Sequence, residues 1–215
     1  MSALRILMTG FGPFPGAPYN PTPELVERLV KLRRPAFDPI ERIGHVFPVS
    51  YRAVDRELPD LLAAHRPDAL LMFGLAARTR HLRIETRARN AVTTLWPDAD
   101  RIKLRTASIA PGASARLFGP HCARLTRAAR LTGIDARASR DAGRYLCNYL
   151  SWRAIEATQT ANGPRLAAFV HVPLTARDGC AWPGSTITAE HLVDAGEAIL
   201  LELMKLARQG KCRPA

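Results

Sequence analysis

Short apolar runs alternate along this chain with longer stretches of helical period. Residues 4–9 form an apolar run that predicts a first strand, leading into a turn-rich segment at 10–23. From Pro23 or Glu24 to about Leu32, Leu25, Val26, Leu29 and Val30 recur on one face, the mark of an amphipathic helix. Residues 40–49 predict a second strand after the turn at 35–39. Over 51–65, Val54, Leu58, Leu61 and Leu62 repeat at helical spacing, with Pro59 expected to kink or break the helix. Residues 69–73 have the composition of a buried strand and are followed by Gly74. Over 81–89, Leu82, Ile84, Thr86 and Ala88 fall on one side and charged residues on the other, as in a strand with one solvated face. The polar stretch 97–113 predicts a long loop. Beyond it come a helix at about 119–131, a short strand near 134–138, a helix at 145–158, a second buried strand at 166–172 and a closing helix at 188–209.

Strands alternating with helices imply βαβ units and a mainly parallel sheet covered on both faces, so the expected class is α/β. No repeat, low-complexity tract or linker divides the chain, and its 215 residues, 47% of them hydrophobic, can fill one domain spanning 1–215. The apolar runs at 69–75 and 166–172 are interrupted by Arg or Pro well short of the roughly 20 residues of a membrane-spanning helix. Residues 1–10 lack the long apolar middle and small-residue cleavage site of a signal peptide, so a cytoplasmic location is expected.

The formal net charge of +12 raises the question of a nucleic-acid partner. The 31 basic residues are all Arg except Lys31, Lys103, Lys205 and Lys211, and they are spread along the whole chain. Arg124, Arg127 and Arg130 make a basic stripe that is expected to be a solvated helix face, and no nucleic-acid motif accompanies it. No nucleic-acid partner is predicted. Cys122, Cys147, Cys180 and Cys212 are scattered without metal-site spacing, which predicts free thiols and no metal centre.

In sheets of this class, reactive residues gather at the carboxyl ends of strands. Cys147 follows Ser139 and Asp141, residues of capping type, and stands near the start of a helix. Unpaired N–H groups and the helix dipole there favour a thiolate; the alternative is a cysteine packed as a small hydrophobe. His171, in Phe169-Val-His-Val-Pro173, places an imidazole where Pro173 ends a buried strand. It suits either a satisfied structural histidine or the proton acceptor of a thiol. Glu85 stands among Arg83, Arg87 and Arg89, and suits either a surface ion pair or the group that orients an imidazole. The loop from Gly10 to Gly16 misses the spacing of a phosphate-binding turn, and Pro13 and Pro15 remove the N–H donors such a turn needs. Phe11 and Phe14 suit the wall of a flat apolar pocket or the core.

Several segments together resemble the pyroglutamyl-peptidase I family of cysteine peptidases. Thr9-Gly-Phe-Gly-Pro-Phe14 followed by Asn20-Pro21 resembles the family's TGFxPFxG signature and its downstream NP. Glu85-x-x-Ala88-x-Asn90 is similar to the segment with the catalytic Glu. Asp141-Ala-Gly-Arg-Tyr-Leu-Cys147-Asn148 resembles the nucleophile motif, and Phe169 to Pro173 the segment with the catalytic His. The resemblance implies a three-layer α/β/α sandwich of phosphorylase-like type, no cofactor, and a homotetramer or homodimer. It implies a triad of Cys147 as nucleophile, His171 as general base and acid, and Glu85 as its orienting partner, acting on peptides with N-terminal pyroglutamate. Phe11, Phe14, Asn20, Leu75, Tyr145 and Leu146 are the expected substrate-contacting positions. The chain departs from the family's pattern at Leu75, where many members carry Gln, and at Leu95, where some carry Arg. Beside the pyroglutamyl exopeptidase, the residues leave two other classes open: a thiol hydrolase of the same fold with another N-terminal acyl or amide specificity, and a non-catalytic basic binding protein.

Overall fold

The computed structural model describes residues 3–14, 16–112, 114–176 and 186–211; Cys180 and Cys212 lie outside them. In chain order the elements are β1 (Leu4–Phe11), α1 (Thr22–Lys31), β2 (Ile40–Phe47), α2 (Tyr51–His65), β3 (Ala69–Leu75), β4 (Leu82–Glu85), β5 (Arg87–Arg89), β6 (Ala115–Leu117), α3 (His121–Arg130), β7 (Ala136–Ser139), α4 (Leu146–Thr158), β8 (Leu166–Val172) and α5 (Ala189–Lys211). Six strands form one sheet in the order β2-β1-β3-β8-β4-β7. The expected α/β class with a mainly parallel sheet holds, and β4 pairs antiparallel with β8. Only six residues separate β3 from β4. A parallel crossover needs a dozen or more, so the chain turns back and β4 runs the opposite way.

β1, β3 and β8 are buried almost throughout, which is why they read as continuous apolar runs rather than alternating ones. On one side of the sheet α5 packs against α1 and α3; on the other α4 packs against α2 and β8. The main core joins Ile6, Leu7 and Met8 of β1 to Leu70, Leu71 and Phe73 of β3, Phe169 of β8, Leu29 of α1 and Trp152 of α4. α4 buries residues on nearly every face, Leu146, Tyr149, Leu150, Trp152 and Ile155 among them, so it is an interior helix.

Several expectations are corrected. Pro59 stands inside a continuous α2 and does not break it. β2 stops at Phe47 because Pro48 has no N–H to continue the ladder. The alternating stretch 81–89 is two strands, because the chain leaves the main sheet at Thr86. The Thr86 N–H and hydroxyl both donate to the Ser139 carbonyl, and β5 then pairs with β6, a strand the sequence pattern did not predict. Arg124 of the basic stripe bonds Glu202 and Gln209 of α5, and Arg130 bonds the Ala136 carbonyl. All three stand on an exposed helix face, as expected, and two of them also tie elements together. Among the described residues no helix is long and apolar enough to cross a membrane.

Candidate active site

Gly74 on β3 is in register with His171 on β8, and His171 is in register with Arg83 on β4. Residues paired across neighbouring strands project from the same face, and Glu85, two residues beyond Arg83, joins them. The sheet thus sets a glycine, an imidazole, a guanidinium and a carboxylate side by side. His171 Nδ1–H donates to Glu85 Oε1 at 2.8 Å, in a site where Glu85 is fully buried and His171 only 5% exposed. The sequence had placed Glu85 on the charged, solvated side of its strand. The structure corrects this, because β7 and β8 flank β4 on both edges and α3 packs against it.

Cys147 occupies the second position of α4 and lines the same cavity as His171, close enough for its charge to act on the imidazole. Gly74 makes room for it. A Cβ on residue 74 would stand 2.7 Å from Cys147 Sγ and 2.7 Å from the Phe169 ring, so no other residue leaves the thiol where it is. Burial pulls the His171 pKa down, but the charge of the nearby Cys147, and then the hydrogen bond and charge of Glu85, outweigh burial. The result is raised to about 9, which favours imidazolium at neutral pH. Cys122 contrasts with Cys147: burial pushes its thiol up to about 12, and it donates to the Glu85 carbonyl.

The first helical bond of α4 runs from Tyr149 N–H to the Tyr145 carbonyl. The N–H groups of Leu146, Cys147 and Asn148 precede that bond, and those of a first turn have no intrahelical acceptor. Ser139 and Asp141 do not cap α4 as their type had suggested; Tyr145 is the N-cap, without a side-chain bond. Instead Ser139 Oγ receives the Asp141 N–H, and Asp141 receives the Gly143 N–H, folding a turn in which Gly143 takes φ 82°. Asn148, fully buried, fastens α4 to the β5 segment. Its Oδ1 accepts from the Arg89 N–H and its Nδ2 donates to the carbonyls of Arg89 and Ala91.

A cavity of about 430 Å³ opens above the Cys147–His171 pair. All six expected substrate-contacting residues, Phe11, Phe14, Asn20, Leu75, Tyr145 and Leu146, line it. Phe14 and Tyr145 stand with ring centroids 6.2 Å apart, and the Tyr145 hydroxyl is occupied by the Pro97 carbonyl. Asn20 is partly committed to its own loop, bonding the Gly12 carbonyl and the Thr22 N–H. Leu95 does not line the cavity and is 73% exposed; its neighbour Trp96 does. Arg78 and Arg83 also line it, and neither was singled out from sequence. Arg83 was within reach of pattern reasoning, since a residue two before Glu85 shares its side of the strand. A larger hollow of about 720 Å³, at Arg66, Asp68, Asn162 and Arg165, is lined by no Cys, Ser or His. Among the described residues no group of three or more His, Cys, Asp or Glu is placed to hold a metal ion.

Comparison with known proteins gives a consistent result. Residues 4–188 match the model of the pyroglutamyl peptidase family. The pyrrolidone-carboxylate peptidase of Pyrococcus furiosus is 30% identical over 79% of this chain and 81% of its own. Pyrrolidone-carboxylate peptidase 1 of Ralstonia nicotianae is 30% identical over 98% and 96%. Among solved structures, the pyrrolidone carboxyl peptidase of Thermococcus litoralis superposes with a TM-score of 0.84 at 26% identity, covering 96% of each chain.

Proposed function

The chain belongs to the pyroglutamyl peptidase family of cysteine peptidases, and from that premise we propose that it is an exopeptidase that removes an N-terminal pyroglutamyl residue from peptides. The observation that carries this reading is the placement of Cys147 beside His171 in a cavity walled by Phe11 and Phe14, with His171 held from behind by Glu85. Residues 1–215 act as a single cysteine-peptidase domain.

In the proposed reaction the Cys147 thiolate attacks the carbonyl carbon of the pyroglutamyl amide. The carbonyl oxygen becomes an oxyanion beside the first-turn N–H groups of α4, donors typically worth about 2.7–4 kcal/mol each. His171, as imidazolium, gives its Nε2 proton to the departing amine, so the C–N bond breaks and a thioester on Cys147 remains. The neutral imidazole then takes a proton from water as the hydroxyl attacks the thioester, releasing pyroglutamate and restoring the thiolate. Glu85 holds the imidazole through Nδ1–H and stabilises its charge.

The flat walls of Phe11, Phe14 and Tyr145 suit a five-membered lactam. Leu75 supplies no hydrogen bond to its polar edge, and this supports one alternative, a related N-terminal acyl group as the preferred substrate. Release of a fluorophore from a pyroglutamyl amide, abolished in Cys147→Ala, tests the main reading. A silent native protein that cleaves another N-acyl amide through Cys147 would favour the alternative. Leu75→Gln should raise kcat/KM for the pyroglutamyl amide, and an unchanged value would remove Leu75 as a specificity residue. We place the enzyme in the cytoplasm, without a nucleic-acid partner, as a homodimer or homotetramer. Exposed Leu95, Trp96, Leu117 and Leu131 supply apolar surface for such contacts, and light scattering measures the assembly.

A further inference from the structure

Arg83 and His171 converge on one oxygen atom. The Arg83 Nη2 lies 3.2 Å from Glu85 Oε1, the same oxygen that accepts the His171 Nδ1–H at 2.8 Å. The other carboxylate oxygen, Oε2, is buried without a hydrogen-bond partner. Arg83 is fixed from behind: its guanidinium donates to Ser139 Oγ through Nε and Nη2, and to the Asp141 carbonyl. Its side chain is 22% exposed and lines the cavity. The register that pairs Arg83 with His171 fixes the point from which this side chain starts, and the bonds to Ser139 and Asp141 hold its head.

We propose that Arg83 is a positioning residue that sets the pH window of the His171–Cys147 pair by competing with His171 for that oxygen of Glu85. The proposal rests on the reading of Cys147 and His171 as the reacting pair.

The groups facing the pair are few. α4 contributes Cys147, with the Tyr145 phenol at its N-cap, β4 contributes Glu85 and Arg83, and β3 contributes Gly74 and Leu75. α3 brings Cys122 and His121, both hydrogen-bonded to backbone carbonyls, those of Glu85 and Ala167. Arg78 also lines the cavity wall. Arg83 therefore holds a permanent positive charge 3.2 Å from the carboxylate oxygen that orients His171. A positive charge at that place favours thiolate over thiol and disfavours imidazolium over imidazole. Both effects move the pair's two titrations to lower pH, so the acid limb of activity begins lower and the basic limb ends lower than Glu85 alone would set them. Removing the charge moves both limbs up.

The test compares the native enzyme with Arg83→Gln and Arg83→Lys. Two profiles are measured against pH: kcat/KM on a pyroglutamyl amide, and the rate of Cys147 alkylation by iodoacetamide, located by peptide mass. In R83Q both limbs of kcat/KM, and the rise of the alkylation rate, should shift upward by about one pH unit, the scale of a unit charge acting across a few ångströms at a partly exposed site. R83K, which keeps the charge, should stay close to the native profile. A residue that only shaped the cavity would lower kcat/KM at every pH and leave the limbs in place. Unmoved or downward-shifted limbs in a folded R83Q overturn the proposal, and so does a displaced R83K profile, which remains readable if R83Q fails to fold. The two readouts separate the claims. A shifted alkylation profile in a protein silent toward pyroglutamyl amides keeps Arg83's role and removes the substrate assignment. Full activity with unmoved limbs does the reverse.

Discussion

Burying Glu85 completely carries a desolvation cost that only charged partners offset. Its neighbours are an imidazole at 2.8 Å and a guanidinium at 3.2 Å, both on the same oxygen. A Glu85→Gln enzyme keeps an acceptor for His171 Nδ1–H but loses the charge that stabilises imidazolium. We expect kcat/KM to fall by about 10²–10⁴-fold. In the native protein His171 is protonated below its raised pKa and loses its proton as the pH rises through about 9, so the basic limb of activity should fall there. In E85Q that limb should move to lower pH, which a pH-rate profile records. Asn148 offers a separate test. Its three bonds satisfy one N–H and two carbonyls in the interior, and Asn148→Ala strands them. Urea unfolding should show a loss of about 2–4 kcal/mol. Cys147, His171 and Glu85 were all visible as candidates in the sequence, each with an inert alternative of equal or greater weight. The bond that joins Glu85 to His171 was not visible, because 86 residues separate the two partners.

At the scale of elements, α2 carries Pro59 on an exposed turn of a 15-residue helix. Proline there lacks the N–H that would reach the Asp55 carbonyl and crowds that carbonyl as well. Pro59→Ala should stabilise the fold by on the order of 1–2 kcal/mol, less than the full propensity difference because alanine also frees the unfolded chain. A rise in the thermal midpoint checks this, and a fall would mean that the proline sets a packing angle against α4. The helix was legible from Val54, Leu58, Leu61 and Leu62 despite the proline, since periodicity reports the buried face and packing there outweighs one lost bond. The split between β4 and β5 was not legible. Alternation continues unbroken through Thr86, and what ends the strand is a pair of bonds to Ser139, more than fifty residues away.

For the molecule as a whole, a formal charge of +12 should steer acidic peptides toward the enzyme. For a pyroglutamyl peptide with acidic residues after the lactam, kcat/KM should fall by on the order of a few-fold as ionic strength rises from about 20 mM to about 200 mM, as screening shortens the field. A neutral peptide should show little change. Equal salt dependence for both would assign the effect to the protein's own stability and not to encounter.

The amino-acid sequence by itself determined the α/β class, the positions of the five helices and the apolar strands, and the residue types able to do thiol chemistry. These follow from local periodicity and from side-chain chemistry, which a linear chain carries openly. Tertiary structure alone decided that Glu85 is buried rather than solvated, that β4 runs against β8, and that Gly74, His171 and Arg83 share one row across three strands. Strand register and direction are set by which distant segments pair and by how long the connections are. A site assembled from four strands and a helix start exists only once those choices are made.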